Sequence, residues 1–222
     1  MAKSKIIKEL ANSSIDTMTA LKRLKILLLS LNKPELDNWV NCELNGYKNI
    51  DDVPEYRRFR GQVTANFIIG NAYKMMTYTN TPLPTTNLSD EIKDIIEDGV
   101  FNEGISAIKE MEGNELGKSI PPEIYGALTK GTNITSITSA SAKISKTAPT
   151  EIIASVETKI LEILCILEKE FGILDELDIE CSDKSEQEIN EVCQKILNVI
   201  YVDKSITIGN DNKITKSDLH TQ

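Results

Sequence analysis

Residues 34–67 read PELDNWVNCELNGYKNIDDVPEYRRFRGQVTANF, and the stretch passes from one backbone pattern to another. Pro34 suits the first turn of a helix, and apolar side chains then recur at helical spacing until Asn45 and Gly46 end the pattern. From Gly61 onward, apolar side chains alternate with polar ones, which is typical of a half-buried strand. A helix followed by a polar break and a strand indicates a fold that contains both elements.

The chain before this stretch predicts a second helix packed against the first. Residues 15–31 place Ile, Met and Leu side chains at helical spacing, and only a few residues separate them from Pro34. Two helices with so short a connection are expected to pack antiparallel. Trp39 lies on the apolar stripe of its helix, so we expect it to anchor this packing.

The chain after this stretch predicts a small antiparallel sheet. A turn at Gly70-Asn71 can join the strand that begins at Gly61 to a second strand over residues 73–79. The Ser/Thr-rich segment 132–146 can be either a third strand or a connector, because its spacing of apolar residues fits neither period.

The last third of the chain predicts two helices and a short tail. The helix from Pro149 to Phe171 has a wide apolar stripe, so we expect neighbours on more than one side of it. A capping box at residues 185–188 begins the final helix. In the tail, Ile206, Ile208 and Ile214 flank a turn, which favours a short β-hairpin that must dock on the body or on another copy.

These patterns together predict an α+β fold, helix-dominated, with a small antiparallel β-sheet and a short C-terminal β-hairpin. We expect four regions along the chain: an α+β domain over 1–131, the Ser/Thr-rich connector or strand over 132–146, a long-helix hairpin packed on the first part over 147–201, and a β-forming tail over 202–222.

The composition limits the classes of function. The 222 residues carry a net charge of −9, which argues against a broad basic surface for nucleic acid. The N-terminus lacks the pattern of a signal peptide, and the longest apolar run is far too short for a transmembrane segment. We therefore expect a cytoplasmic protein.

No residue pattern predicts catalysis, a metal or a cofactor. The four cysteines show no C-x-x-C spacing, and His220, the single histidine, lies in the tail. Catalysis by a Ser–His or Cys–His pair is close to excluded on this basis. We expect no catalytic residue, no bound metal ion and no cofactor.

One charged cluster is the main candidate for a binding surface. It combines acids, one Tyr and three Arg residues in ten positions: Asp51, Asp52, Glu55, Tyr56, Arg57, Arg58 and Arg60. The cluster can be a local salt-bridge network or a surface that recognises an anionic partner. Acids and bases so close in sequence also leave open a nuclease or another enzyme that acts on nucleotides.

The same stretch resembles the AbiTii-like abortive-infection family. The resemblance lies in a helix of the form E-L-x-x-W-x-x-x-E-L-x-G-Y, then a Pro-Tyr-Arg element, then a Gly before a strand. The matching residues are Glu35, Leu36, Trp39, Glu43, Leu44, Gly46, Tyr47, Pro54, Tyr56, Arg57 and Gly61. It covers about residues 15–70, with a weaker likeness through the middle and in the tail.

The resemblance implies a bacterial phage-defence component, toxin-like or accessory, and provides no catalytic residues. We expect it to act through protein contacts, with a protein partner or a homo-oligomer. The alternatives are an enzyme that uses the charges of residues 51–60 and a helical assembly module. The candidate residues for self-association are Ile206, Ile208 and Ile214 of the tail.

Overall fold

The computed structural model describes residues 3–71 and 73–201 of the chain. Within them, helices predominate and the strands form two small antiparallel sheets, so the predicted α+β class is confirmed. The predicted C-terminal hairpin lies outside the described residues. No helix in the described part is long and apolar enough to cross a membrane.

Five helices form the larger part of the body. They are α1 (Lys5–Ala11), α2 (Thr17–Leu29), α3 (Pro34–Asn45), α7 (Ala148–Phe171) and α8 (Glu186–Tyr201), where the numbering follows chain order. α2 begins at Asp16, whose carboxylate accepts a hydrogen bond from the Thr19 backbone N–H at 2.6 Å. This cap defines the start of α2 because it satisfies a donor that the first turn leaves free.

α7 is the central helix, as the width of its apolar stripe predicts. It contacts α1, α2, α8 and a short helix, α5 (Ile105–Glu110). Its buried residues from Val156 to Leu167 join the largest core cluster, which also contains Trp39, Leu21 and Leu24. Trp39 is 1% exposed, so the anchor predicted between α2 and α3 is buried as expected.

The main sheet has four antiparallel strands in the order β3-β2-β6-β5. Their bounds are β2 (Gln62–Asn71), β3 (Lys74–Pro82), β5 (Leu116–Ser119) and β6 (Ile134–Ile144). Two short strands, β1 (Arg58–Arg60) and β4 (Asp98–Val100), form a separate pair. The remaining helices are α4 (Asp90–Glu97), α5 (Ile105–Glu110) and α6 (Tyr125–Thr129), with 3-10 turns at Ile50–Asp52, Glu55–Arg57 and Pro122–Ile124.

The Ser/Thr-rich segment forms β6, which lies between β2 and β5. The β2–β6 register shifts at Asn66/Phe67 and again at Ile68/Ile69. Each shift changes which side chains face the core, and this is why the segment shows no period of two. The four residues of β5 have no strand pattern of their own and gain strand geometry only by pairing with β6.

The hairpin turn lies further along the chain than predicted. β2 continues through Gly70 and Asn71, and Asn71 lies opposite Lys74 in β3. The Asn71 side chain accepts hydrogen bonds from the backbone N–H groups of Tyr73 and Lys74 at 3.0 and 3.3 Å. Asn71 therefore caps the turn instead of lying within it.

Candidate interaction surface

The polar segment between α3 and β2 is fixed to the body at both ends. Gly46 ends α3 with a φ of +96°, and a Cβ atom there would lie 2.7 Å from the carbonyl oxygen of Asn102. The next residue, Tyr47, donates its backbone N–H to the same oxygen at 2.7 Å. At the other end, the Gly61 N–H donates to the Glu97 carbonyl oxygen at 2.8 Å.

Glu43 is the centre of a buried polar network that this segment covers. Its Oε1 accepts hydrogen bonds from the hydroxyls of Tyr47 at 2.5 Å and Tyr56 at 2.6 Å, and from Arg57 Nε at 3.2 Å. Its Oε2 accepts a hydrogen bond from Arg57 Nη2 at 2.6 Å. The Trp39 indole N–H donates to the Tyr56 hydroxyl at 3.1 Å, which connects the network to the helical core.

Arg57 is buried, and each of its three guanidinium nitrogens donates at least one hydrogen bond within the protein. The third nitrogen, Nη1, donates to the carbonyl oxygens of Phe101 at 3.1 Å and Glu103 at 2.8 Å. The side chains of Arg57 and Glu43 are both 0% exposed. A buried ion pair is tolerated only when its remaining hydrogen-bonding groups are satisfied, and here they are.

The protonation states of the network follow from this burial. Burial is the largest effect that raises the pKa of Tyr47 and of Tyr56, and the nearby Glu43 carboxylate raises both further. Burial acts to lower the pKa of Arg57, but the contact with Glu43 outweighs it and the pKa is raised. Both phenols therefore remain donors and Arg57 remains charged.

Arg57 is consequently not part of an exposed interaction surface. The expectation that placed it there was wrong, because three Arg residues within four positions look alike in sequence. Glu43, which the charged cluster omitted, is its partner. A signal for Glu43 exists in the sequence, since it is a charged residue on the stripe of Leu36, Trp39 and Val40.

Arg58 and Arg60 do lie at the surface, where they have different neighbours. Arg58 Nη2 donates to the carbonyl oxygens of Ile50 and Val53 at 3.0 and 3.1 Å. Its guanidinium also lies 3.6 Å from the carboxylate of Glu55, which is 75% exposed. The predicted salt-bridge partners of Arg58 therefore include Glu55.

Arg60 reaches towards α4 and β4 instead of the acids of its own segment. Its Nε lies 2.7 Å from Glu97 Oε2, and its guanidinium is 3.5 Å from Asp94 and from Asp98. The hydrogen bond to Glu97 is the largest effect that raises the pKa of Arg60. These partners come from residues 94–98 and could not be recognised within the 51–60 segment.

Asp51 and Asp52 are exposed and line a cavity that neither Arg58 nor Arg60 lines. Both line a depression of about 330 Å³ together with Trp39, Tyr47 and Tyr201. Tyr56 contacts Lys159, whose ammonium lies 5.0 Å from the centre of the Tyr56 ring. The seven predicted residues therefore divide between a buried network and two separate surface regions.

Arg58, Phe59 and Arg60 form a ridge with one cavity on each side, which we call the β1 ridge. The first cavity, of about 640 Å³, is bordered by α7, and the second, of about 860 Å³, is bordered by β5. The aromatic rings of Phe59 and Phe101 meet at 5.1 Å between their centres and line both cavities. Sequence reasoning missed Phe59 and Phe101, because no local pattern links residues 42 positions apart.

Within residues 3–71 and 73–201, no group of three or more His, Cys, Asp or Glu side chains is placed to hold a metal ion. Ile206, Ile208 and Ile214, which were proposed for self-association, lie outside the described residues, as does His220.

The comparisons with known proteins agree with the resemblance in the Trp39 to Gly61 region. Neither a curated protein nor a solved structure matches the chain. The family model that is described as AbiTii matches residues 4–193, which is most of the chain and includes both the buried network and the β1 ridge. The protein therefore belongs to the AbiTii family and, with it, to bacterial abortive-infection phage defence.

Proposed function

We propose that this AbiTii protein acts in abortive infection by binding a protein partner at the β1 ridge, as a toxin-like or accessory component. The observation that carries the proposal is the combination of two exposed guanidinium groups and one half-buried aromatic ring, Phe59, at the edge of two cavities. The side chains of Arg58 and Arg60 are 37% and 55% exposed, and both line the two cavities together with Phe59. Protein interfaces commonly combine an aromatic and Arg-rich centre with a polar rim.

The rim of the ridge has charges of both signs. Glu55, Asp98 and Lys118 border the cavity next to β5, and Lys159 and Glu162 border the one next to α7. A mixed rim favours a protein partner over a polyanion, which would need an excess of basic groups.

The arrangement gives less support to the enzyme alternative. An enzyme built on residues 51–60 would bring its acids and bases to one point. Asp51 and Asp52 instead line a cavity that has no lining residue in common with the two cavities of the β1 ridge. We therefore favour recognition over catalysis at this surface.

The experiment is a phage challenge of cells that express the Arg58→Gln/Arg60→Gln double variant. Loss of both exposed guanidinium groups is expected to reduce phage protection, measured as plating efficiency, by about tenfold or more. Arg57 is left unchanged, because its replacement would leave Glu43 buried without its partner. The assay could then not separate a loss of binding from a loss of folding.

The matched control is Lys195→Gln on α8. Lys195 is 53% exposed and pairs with Glu170 at 2.9 Å, so it resembles Arg60 in exposure and in its salt bridge. Full protection by a normally folded double variant, with Lys195→Gln as the reference, would show that the β1 ridge is not the binding surface.

A further inference from the structure

One carboxylate in the cavity next to β5 lacks a partner within the described part of the chain. Glu103 lines this cavity, and its Oε2 is buried without a hydrogen-bond partner. The carboxylate forms no salt bridge with any residue that the structure describes. The adjacent helix α5 begins at Gly104 without a side-chain cap, so its first turn does not supply a donor either. Burying a carboxylate oxygen without a donor costs free energy, and folded proteins usually provide one.

The backbone that carries Glu103 is held firmly against α3. Arg57 Nη1 donates a hydrogen bond to the Glu103 carbonyl oxygen at 2.8 Å, which connects this turn to the buried network. A Cβ atom on the next residue, Gly104, would lie 2.5 Å from the carbonyl oxygen of Leu44, so the turn lies directly on the end of α3. A group on a fixed backbone loses little freedom when it binds, which favours recognition at this point.

The other carboxylates of this cavity have basic partners. Glu55 lies 3.6 Å from Arg58, and Asp98 lies 3.5 Å from Arg60. The negative charge of Glu103 is therefore the one that these pairs leave unmatched.

The remaining basic residue of the cavity does not supply the missing partner. Lys118 donates its Nζ to two backbone carbonyl oxygens, each at 2.7 Å. Much of the other lining is apolar and includes Phe59, Met111 and Leu116. A long basic side chain can bury its methylene groups against such a surface while its charged end pairs with an acid.

From this arrangement we infer that the cavity next to β5 receives a Lys or Arg side chain of the protein partner, and that the charged end pairs with Glu103. The inference rests on the proposed function, because it specifies the chemistry of the partner that binds the β1 ridge. The incoming cation gives the carboxylate the charge-assisted hydrogen bond that it lacks. An acidic side chain or a phosphate would instead meet a like charge at this point.

The first test compares Glu103→Gln with the unchanged chain. Loss of a buried charge that has no partner is expected to leave the midpoint of thermal unfolding unchanged or to raise it. Protection in the phage challenge is expected to fall about tenfold or more, because the basic side chain of the partner would lose its acid. Glu115→Gln is the matched control, since Glu115 is 73% exposed, pairs with Lys146 and lines neither cavity of the ridge.

Two outcomes of this comparison overturn the inference. Full protection by Glu103→Gln shows that the partner does not use this carboxylate. A clearly lower unfolding midpoint shows that Glu103 stabilises the chain itself, so a loss of protection would follow from folding.

The second test measures binding directly, with N-acetyl-L-arginine amide as the probe and N-acetyl-L-glutamine amide as its uncharged match. Each is titrated into the full chain, and NMR follows the backbone amides of Gly99 and Gly117, which line the cavity. Saturating shifts are expected with the arginine amide alone, and Glu103→Gln is expected to weaken this binding about tenfold or more. Absence of these shifts, or equal binding by the variant, overturns the inference. Stronger binding by a chain without residues 203–222 would assign the cavity to a lysine of the tail and would also overturn it.

Failure of this inference can be distinguished from failure of the proposed function. Glu103 lines only the cavity next to β5, whereas Arg58 and Arg60 line both cavities. Reduced protection by the Arg58→Gln/Arg60→Gln variant together with full protection by Glu103→Gln would support the β1 ridge as a binding surface and overturn only the role of Glu103.

Discussion

At the scale of one residue, Glu43 connects the residues that carry the family resemblance. Its carboxylate accepts four hydrogen bonds, from Tyr47, Tyr56 and Arg57. The matching residues Trp39, Glu43, Tyr47, Tyr56 and Arg57 therefore form one structural unit. The residues that carry the resemblance hold the 46–61 segment on α3, and the binding surface that we propose lies beside it on β1.

The first prediction at this scale concerns Glu43→Gln. The replacement keeps the shape of the side chain but leaves Arg57 charged in a buried site, which is expected to lower the free energy of unfolding by about 3–5 kcal/mol. Urea unfolding at neutral pH measures this change.

Glu55→Gln is the matched control, because Glu55 is 75% exposed and lies 3.6 Å from Arg58. An exposed pair of this kind contributes less than about 1 kcal/mol. If the two variants lose equal stability, the Glu43–Arg57 pair does not hold the segment in the way described.

At the scale of elements, one carboxylate of α7 adds hydrogen bonds to the apolar packing that holds α1 on the core. Glu168 of α7 accepts hydrogen bonds from Lys3 Nζ at 2.6 Å and from the backbone N–H and hydroxyl of Ser4 at 2.5 and 2.7 Å. Burial acts to raise the pKa of Glu168, but these hydrogen bonds outweigh it and lower the pKa from 4.5 to about 2. The N-terminal segment is thus bound to the ionised form.

This attachment predicts a pH dependence of stability. Because the folded-state pKa of Glu168 is lowered, its contribution is fully present above pH 4.5 and is lost as the pH falls towards 2. Glu168→Gln is expected to be less stable than the unchanged chain at pH 6, and the difference should disappear near pH 2. Urea unfolding of both chains across this range measures it, and a difference that stays constant with pH would contradict the assignment.

At the scale of the whole molecule, two of the three core clusters share the long helix α7. Its residues from Val156 to Leu167 belong to the helical cluster, and Ile152 belongs to a smaller cluster with Phe101 and Ile108. The cluster under the sheet is built from β2, β6 and their neighbours.

This distribution predicts the effect of deleting residues 203–222. We expect the shortened chain to keep a cooperative thermal transition, since the deletion leaves every residue of the three described core clusters in place. We also propose the tail, with Ile206, Ile208 and Ile214, as a contact between copies, so light scattering should give a smaller assembly for the shortened chain. Loss of the cooperative transition would contradict the first expectation, and an unchanged mass would contradict the second.

The sequence alone determined the elements whose signals are local. The helices at Thr17–Leu29, Pro34–Asn45 and Ala148–Phe171 and the hairpin after Gly61 were predictable, because periodicity, caps and turn residues act within a few positions. The burial of Trp39 followed in the same way from its place on an apolar stripe. The resemblance to the AbiTii family was also present in these local patterns.

Only the tertiary structure decided what depends on contacts between distant residues. Arg57, Arg58 and Arg60 carry the same charge in one short run, yet Arg57 is buried because Glu43 and the carbonyl oxygens of Phe101 and Glu103 surround it. β5 and β6 became strands through pairing with each other and with β2, not through a pattern of their own. For these residues, burial and strand pairing are set by neighbours from far away in sequence, and the local pattern does not identify those neighbours.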